Sequence, residues 1–365
     1  MKKIGILTCH FYPNFGSTLQ AIALQESIKR LGYTVKIINY INPKISIVTL
    51  KKYLLNYKLK PLICKFFKKG VKRFSNNVLL FQQKYQNTTS IVQTFDELNK
   101  ISKKFDLIVC GSDQIWSPAH FHIAYLAGFT DKCTSKISYS ASLGTNSIPE
   151  ELLPTYRSLL SEFKSISVRE DKAKYLLKEK CHIDSVTTLD PTLLLDVLDY
   201  EKMEESVETI GENFVFCYFL NKSHSYNVKA IIDYAESSHL SVVGFSCNNE
   251  DKQKMRLLNN LSAGNFLWLV HHSTMFVTDS YHGTIFSLIF HKEFALYYRF
   301  SESDVNGENS RIEQLNSYFD ISARIIDNSK RLDMLEPYAF DTFENKREIL
   351  RDYSLNYLKT ALKNA

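Results

Sequence analysis

Apolar residues along this chain follow two alternating rhythms: short β-branched runs, and longer segments with helical spacing. Lys3–Thr8 (KIGILT) predicts a strand. Ser17–Leu31 predicts a helix with Leu19, Ile22, Ala23 and Ile28 on one face. Gly32 ends that helix, and Thr34–Tyr40 (TVKIINY) is the next strand. Asp106–Cys110 (DLIVC), Ile137–Ser142 and Ser165–Val168 predict further strands, with a helix beginning near Pro149. A second round opens near Asn213, after the charged and weakly periodic stretch 199–212. There Phe214–Leu220, Leu240–Phe245, Met275–Thr278 and Phe294–Tyr298 predict strands, and Tyr226–Ser237 and Phe266–His272 predict helices. Helices over Asn309–Tyr318 and Thr342–Leu362 close the chain. This alternation predicts an α/β protein with parallel sheets and helices on both faces. A length of 365 residues is too great for one ordinary core. Two α/β domains facing across a cleft are therefore expected, spanning 1–205 and 206–340, with a C-terminal helix over 341–365 bracing them.

The segment 277–290, VTDSYHGTIFSLIF, concentrates candidate chemistry. A β-branched run ends in Asp279, Ser280-Tyr281-His282-Gly283 follows, and an apolar helix continues from Ile285. Ligands of open α/β sheets sit where strands end and helices begin, because helix N-termini offer unpaired N–H donors. An imidazole placed there can bind an anion, donate a proton, or both. The same residues also suit a capping histidine backed by a structural glycine.

Composition narrows the classes. The chain is 44% hydrophobic and 23% charged, with no low-complexity tract, which fits a globular protein. No apolar run approaches the ~20 residues of a membrane span. The start, MKKIGILTCHFYPNFG, reads as a buried strand rather than a signal peptide. Seven scattered cysteines without CxxC spacing suggest reduced thiols and a cytoplasmic location. The histidines show no ligand spacing with carboxylates, so no metal is expected, and the His271-His272 pair reads as a helix end.

Charge is distributed unevenly. The net charge is +6, yet from Ser27 to Phe95 there is no Asp or Glu and there are 14 Lys and Arg, leaving the remainder acidic overall. The basic stretch peaks between Lys51 and Arg73, with apolar residues interleaved at helical spacing, and reads as a helical insertion over about 42–95. Such a helix pair suits peripheral contact with an anionic membrane, a phosphate-rich substrate, or a solvated insertion packed on its own domain. No nucleic-acid motif accompanies it, so no nucleic acid is expected as a partner.

Six collinear segments strongly resemble the polysaccharide pyruvyl transferase family. They are the opening ILTCHFYPNFGSTLQ, FDLIVCGSDQIW, SISVRED, LDPTLLL, VTDSYHGTIFSLIF and SRIEQL. The resemblance implies a glycosyltransferase-B-like pair of Rossmann-like domains and transfer of a pyruvyl group from phosphoenolpyruvate to a sugar, forming a ketal, in polysaccharide biosynthesis such as that of capsule or exopolysaccharide. It implies no cofactor. Its acceptor would be a lipid-linked or nucleotide-linked glycan, handled in the cytoplasm or at the inner face of the cell membrane. Where some family members carry Arg-Leu-His, this chain has Ser280-Tyr281-His282, so another cation, or another donor, takes that place.

Phosphoenolpyruvate carries a phosphate and a carboxylate, so its site needs fixed cations and N–H donors. His282 is the candidate acid and Arg169 the candidate bidentate oxyanion contact, although Arg169 could instead pair with Glu170 or Asp171. Asp279, Ser280, Tyr281, Gly283, Arg299 and Arg311 complete the expected donor side. Asn14, Gly16, Gln20, Ser112, Asp113 and Gln114 are expected on the acceptor side, with Trp116 available to stack on a sugar; turn formation and capping are the alternative roles for the polar ones. A nucleotide-sugar glycosyltransferase and a non-catalytic glycan- or phosphate-binding protein remain the other readings, since fold does not fix chemistry.

Overall fold

The structure is a computed structural model that describes residues 2–11, 14–41, 76–131, 133–208, 210–220, 227–245, 254–299, 309–326 and 332–365. The peak of the basic stretch, Lys51 to Arg73, lies outside these residues. Two parallel sheets dominate the fold. The first has the order β2-β1-β3-β4, from β1 (Lys3–Leu7), β2 (Thr34–Ile37), β3 (Leu107–Cys110) and β4 (Lys136–Ser138). A short pair, β5 (Ser167–Val168) with β6 (Val186–Thr187), joins its edge through single bridges from Ile137 to Ser165 and from Ala141 to Val168.

The second sheet holds β7 (Phe214–Tyr218), β8 (Ser241–Phe245), β9 (Arg256–Leu257), β10 (Met275–Thr278), β11 (Phe294–Tyr297) and β12 (Ile325–Ile326). Its order is β12-β11-β10-β7-β8-β9. Strands β1, β3, β7 and β10 are buried along nearly their whole length, which is why their sequences read as unbroken apolar runs.

Both sheets reverse their strand order. In the first, β2 lies on one side of β1 and β3 on the other; in the second, β8 and β10 flank β7 in the same way. Each reversal opens a crevice beyond the strand C-termini, between β1 and β3 and between β7 and β10.

The two halves share one core. The first helix (Phe15–Arg30) belongs in sequence to the first sheet, yet Phe15 stacks on Phe266 at 5.0 Å and packs against Tyr218 and Phe245 of the second half. The helix Asn76–Tyr85 adds Val78 and Phe81 to the same core, so this end of the expected insertion is an integral element. Beyond it, Thr88 bridges to Ile37 and Val92 to Tyr40, extending the first sheet past β2. The C-terminal helix (Phe340–Asn364) packs Leu358, Ala361 and Leu362 with residues of the first sheet and Phe343 with the core of the second. Arg347 on that helix donates to the carbonyls of Leu193 and Leu195.

Candidate active site

The helix Tyr281–Ile289 begins directly after β10. Ser280 caps it by accepting from the Gly283 N–H at 3.2 Å, and the β-branched strand followed by Ser280 is the local cause of this geometry. The first helix begins opposite, capped by Asn14, whose Oδ1 accepts from the Ser17 N–H at 3.2 Å. The two N-termini meet at His282. A Cβ built on Gly16 would fall 2.1 Å from His282 Nδ1, so the imidazole lies against bare backbone and no larger residue fits there.

A cavity of about 510 Å³ opens at this meeting point. Cys9, Asn14 and Ser17 reach it from beyond β1, and Asp113 and Gln114 from beyond β3. From the second half come Leu220 beyond β7, Ser280, Tyr281 and His282 beyond β10, and Arg299 beyond β11. Arg311, near the start of the helix Ser310–Phe319, and His120 complete the wall. Both strand-order reversals therefore empty into one pocket, of a size that suits a small-molecule site.

Behind the pocket lies a buried charged chain. His282 Nε2 is 3.4 Å from Asp190 Oδ2, a close charge contact, and Arg169 Nη2 is 2.9 Å from the same oxygen. Burial opposes ionisation of Asp190, but Arg169 and His282 outweigh it and hold this carboxyl well below the usual range. Asp113 behaves alike: burial raises its pKa, and Arg169 and His282 more than offset it. Asp113 also accepts from Ser17 Oγ at 2.5 Å, linking the β3 loop to the first helix. Glu170 goes the other way, because burial pushes its carboxyl up further than Arg169 pulls it down. Two guanidinium groups lie over the ring of Tyr281, Arg169 at 5.1 Å and Arg311 at 5.4 Å from its centroid.

Of the residues expected from sequence, Asn14, Asp113, Gln114, Ser280, Tyr281, His282, Arg299 and Arg311 come together at the pocket wall. The others stand behind it. Arg169 is buried and pairs with Asp190, not with Glu170 or Asp171, and its Nη2 also donates to Ser112 Oγ. Asp279 accepts from the Leu220 N–H at 2.7 Å and faces Arg299, so it ties β7, β10 and Arg299 together. Gly283 packs the helix onto β10, where a Cβ would meet Thr278 Oγ1 at 3.0 Å. Gln20 is buried and donates to Thr8, Cys9 and Ser17.

The expectation that Trp116 stacks on a sugar is corrected. Its indole is 1% exposed, donates to the Tyr125 carbonyl at 3.0 Å and meets Phe163 edge-on, making it a core residue. Sequence reasoning assigned no role to Asp190, although it stands in the Asp-Pro-Thr segment. It also passed over Cys9, Ser17, His120 and Leu220, whose residue types carry no signal by themselves. Among the described residues, a group able to hold a metal ion, Glu204 with His271 and His272, lies away from this pocket.

Solved structures share the architecture at low identity. A UDP-GlcNAc 2-epimerase from Methanocaldococcus jannaschii is 14% identical, with TM-score 0.52 and coverage of 96% of this chain and 99% of that one. The Neisseria meningitidis UDP-GlcNAc 2-epimerase bound to UDP-GlcNAc is 12% identical, with TM-score 0.51 over 99% and 94%. An alpha-glucosyltransferase in complex with UDP is 12% identical, with TM-score 0.50 over 99% and 95%. These likenesses establish the glycosyltransferase-B-like fold and nothing more. No curated protein matches the sequence significantly. The polysaccharide pyruvyl transferase family model does match, over residues 14–299, which takes in the whole crevice between β7 and β10, His282 and Arg299; the chain is a transferase belonging to that family.

Proposed function

We propose that the protein moves a pyruvyl group from phosphoenolpyruvate to a sugar of a glycan precursor, closing a ketal. The observation that carries this reading is the convergence of His282, Arg299, Arg311 and a helix N-terminus on one side of the pocket. A small trianionic donor needs that density of positive charge and N–H donors. Arg311 and Arg299 take the place of the arginine found beside the histidine elsewhere in the family. Asn14, Asp113 and Gln114 face them from the other half and offer polar groups to sugar hydroxyls.

Protonated His282 gives its proton to the methylene carbon of the donor. The C2 carbon gains cationic character, an acceptor hydroxyl forms a C–O bond to it, and the bond from C2 to the phosphate oxygen breaks. A second hydroxyl closes the ketal, and inorganic phosphate leaves with the surplus proton. Asp190 acts as a positioning residue that holds the imidazole, and Arg169 fixes Asp190 in turn.

The acceptor we favour is a lipid-linked or nucleotide-linked glycan. Peripheral contact of the basic stretch with an anionic membrane would present a lipid-linked one. Among the described residues no helix is long and apolar enough to cross a membrane. Incubation with phosphoenolpyruvate and candidate acceptors, following phosphate release, tests the reaction. A product that forms only from a nucleotide sugar, or binding without turnover, would overturn it.

The arginines give a sharper measurement. Arg311→Ala should weaken donor binding by roughly 2–5 kcal/mol, as for loss of one partner of a buried charge pair. Arg311→Lys should restore only part of this, because an ammonium lacks the guanidinium fork. Donor titration reads the difference, and an unchanged donor KM and kcat in the alanine variant would place Arg311 outside the donor site.

A further inference from the structure

A second cluster lies at the opposite end of the helix that carries His282. The helix Ala263–His272 ends in His271 and His272, and Glu204 approaches both from the connector between the two halves. His271 Nδ1 is 2.6 Å from one carboxylate oxygen, and His272 Nδ1 is 3.9 Å from the other. Both rings stack on aromatic neighbours: His271 on Phe290 at 4.5 Å and 10°, and His272 on Trp268 at 4.6 Å and 17°. One ligand atom from each of the three side chains lies within 4.8 Å of the others.

We propose that Glu204, His271 and His272 bind a divalent ion of the zinc type. Two imidazole nitrogens and one carboxylate oxygen form the donor set of an open three-ligand zinc site. Nitrogen ligands disfavour magnesium and calcium, which take oxygen. Metal bonds of about 2.0–2.2 Å set tetrahedral ligand atoms roughly 3.3 Å apart, so Glu204 must draw back slightly from His271 while His272 moves in. His272 must leave its contact with the Trp268 carbonyl, at 3.0 Å from Nδ1, to ligate, and its half-exposed ring is the more accessible of the two; Phe290 keeps the edge of His271 toward Glu204.

The connector is already laid along this helix. Glu205 accepts from Ser262 Oγ, and the Asn265 side chain donates to the Glu205 carbonyl at 2.8 Å. At Gly264 the Met203 carbonyl would sit 2.6 Å from a Cβ, so the two segments touch backbone to backbone. An ion on Glu204 would pin the chain that joins the two halves onto the second one. With water in the fourth position, the ion would sit apart from the pocket of the transfer chemistry. The histidine pair is the helix end that its sequence suggests; spacing could not reveal Glu204, 67 residues upstream.

The test uses the full chain stripped with a chelator, then titrated with Zn²⁺ by calorimetry and followed by thermal melting. Wild type should bind a single ion saturably and melt higher with it. His272→Ala and Glu204→Gln should lose both effects, while Cys133→Ser, which removes an exposed thiol, should keep them. Melting in chelator shows whether each variant is folded, and Glu204→Gln retains the side-chain shape if the alanine variant is not. With Co²⁺, the visible spectrum should show tetrahedral bands without thiolate charge transfer. Equal Zn²⁺ binding by wild type and both ligand variants, a thiolate spectrum, or no saturable binding would each overturn the site.

Discussion

Replacing His282 with alanine should lower pyruvyl transfer by about 10²–10⁴-fold, the usual contribution of a positioned acid. His282→Gln should fail nearly as badly, since an amide keeps some hydrogen bonding but cannot supply the proton. The melting temperature separates chemistry from architecture. The side chain is only 8% exposed and touches Asp190, so a purely structural role would appear as a large fall in stability with turnover retained in the folded fraction. Near-normal turnover per folded molecule in the alanine variant would leave the residue as a helix-end packing group.

Asp190→Ala should have the largest effect on stability. Arg169 is 2% exposed and its shortest charged contact is Asp190, so truncation leaves a buried guanidinium without that counter-charge. Breaking such a pair costs about 3–5 kcal/mol. The acid limb gives the sign. The Asp190 carboxyl lies below its ordinary pKa, so its stabilisation is complete above the unfolded value of about 3.9 and is lost as pH falls through the lower folded value. Asp190→Ala should therefore show a shallower loss of stability in acid than wild type, as well as a lower plateau near neutrality. Because His282 loses its partner, kcat should fall more than donor affinity. Equal melting temperatures across the pH range would show that Arg169 is balanced by other groups.

Much of the fold was legible because its central strands are buried on both faces. Met275–Thr278 was read to the residue, and the first strand and first helix within about two residues, since an unbroken β-branched run or a 3.6-residue stripe leaves little ambiguity. Strands β6, β9 and β12 contain two residues each, too short to carry a period. Strand order is absent from any local pattern, so the crevices could be expected only in general terms.

The candidate site divides along the same line. Residues in the segments that leave strand C-termini, such as Asn14, Asp113 and Ser280 to His282, reach the pocket because the chain direction places them there. Arg169 and Trp116 also lie in loops past strands, but their side chains turn inward to Asp190 and Tyr125. Residue type alone does not tell a group facing a cleft from one bracing the loop behind it. Asp190 was missed for the complementary reason, since its significance comes from two partners that are distant in sequence.

The contact between Gly16 and His282 also bears on how such enzymes can be recombined. Each half contributes one of the two, and the fit leaves no space for a single methyl group. Exchanging the N-terminal half for that of a relative, to change which sugar is modified, would carry over a new residue at this position. Only donors of that half with glycine there would dock without displacing the imidazole. One small residue, between the pocket-lining Asn14 and Ser17, thus limits which hybrid enzymes can be assembled.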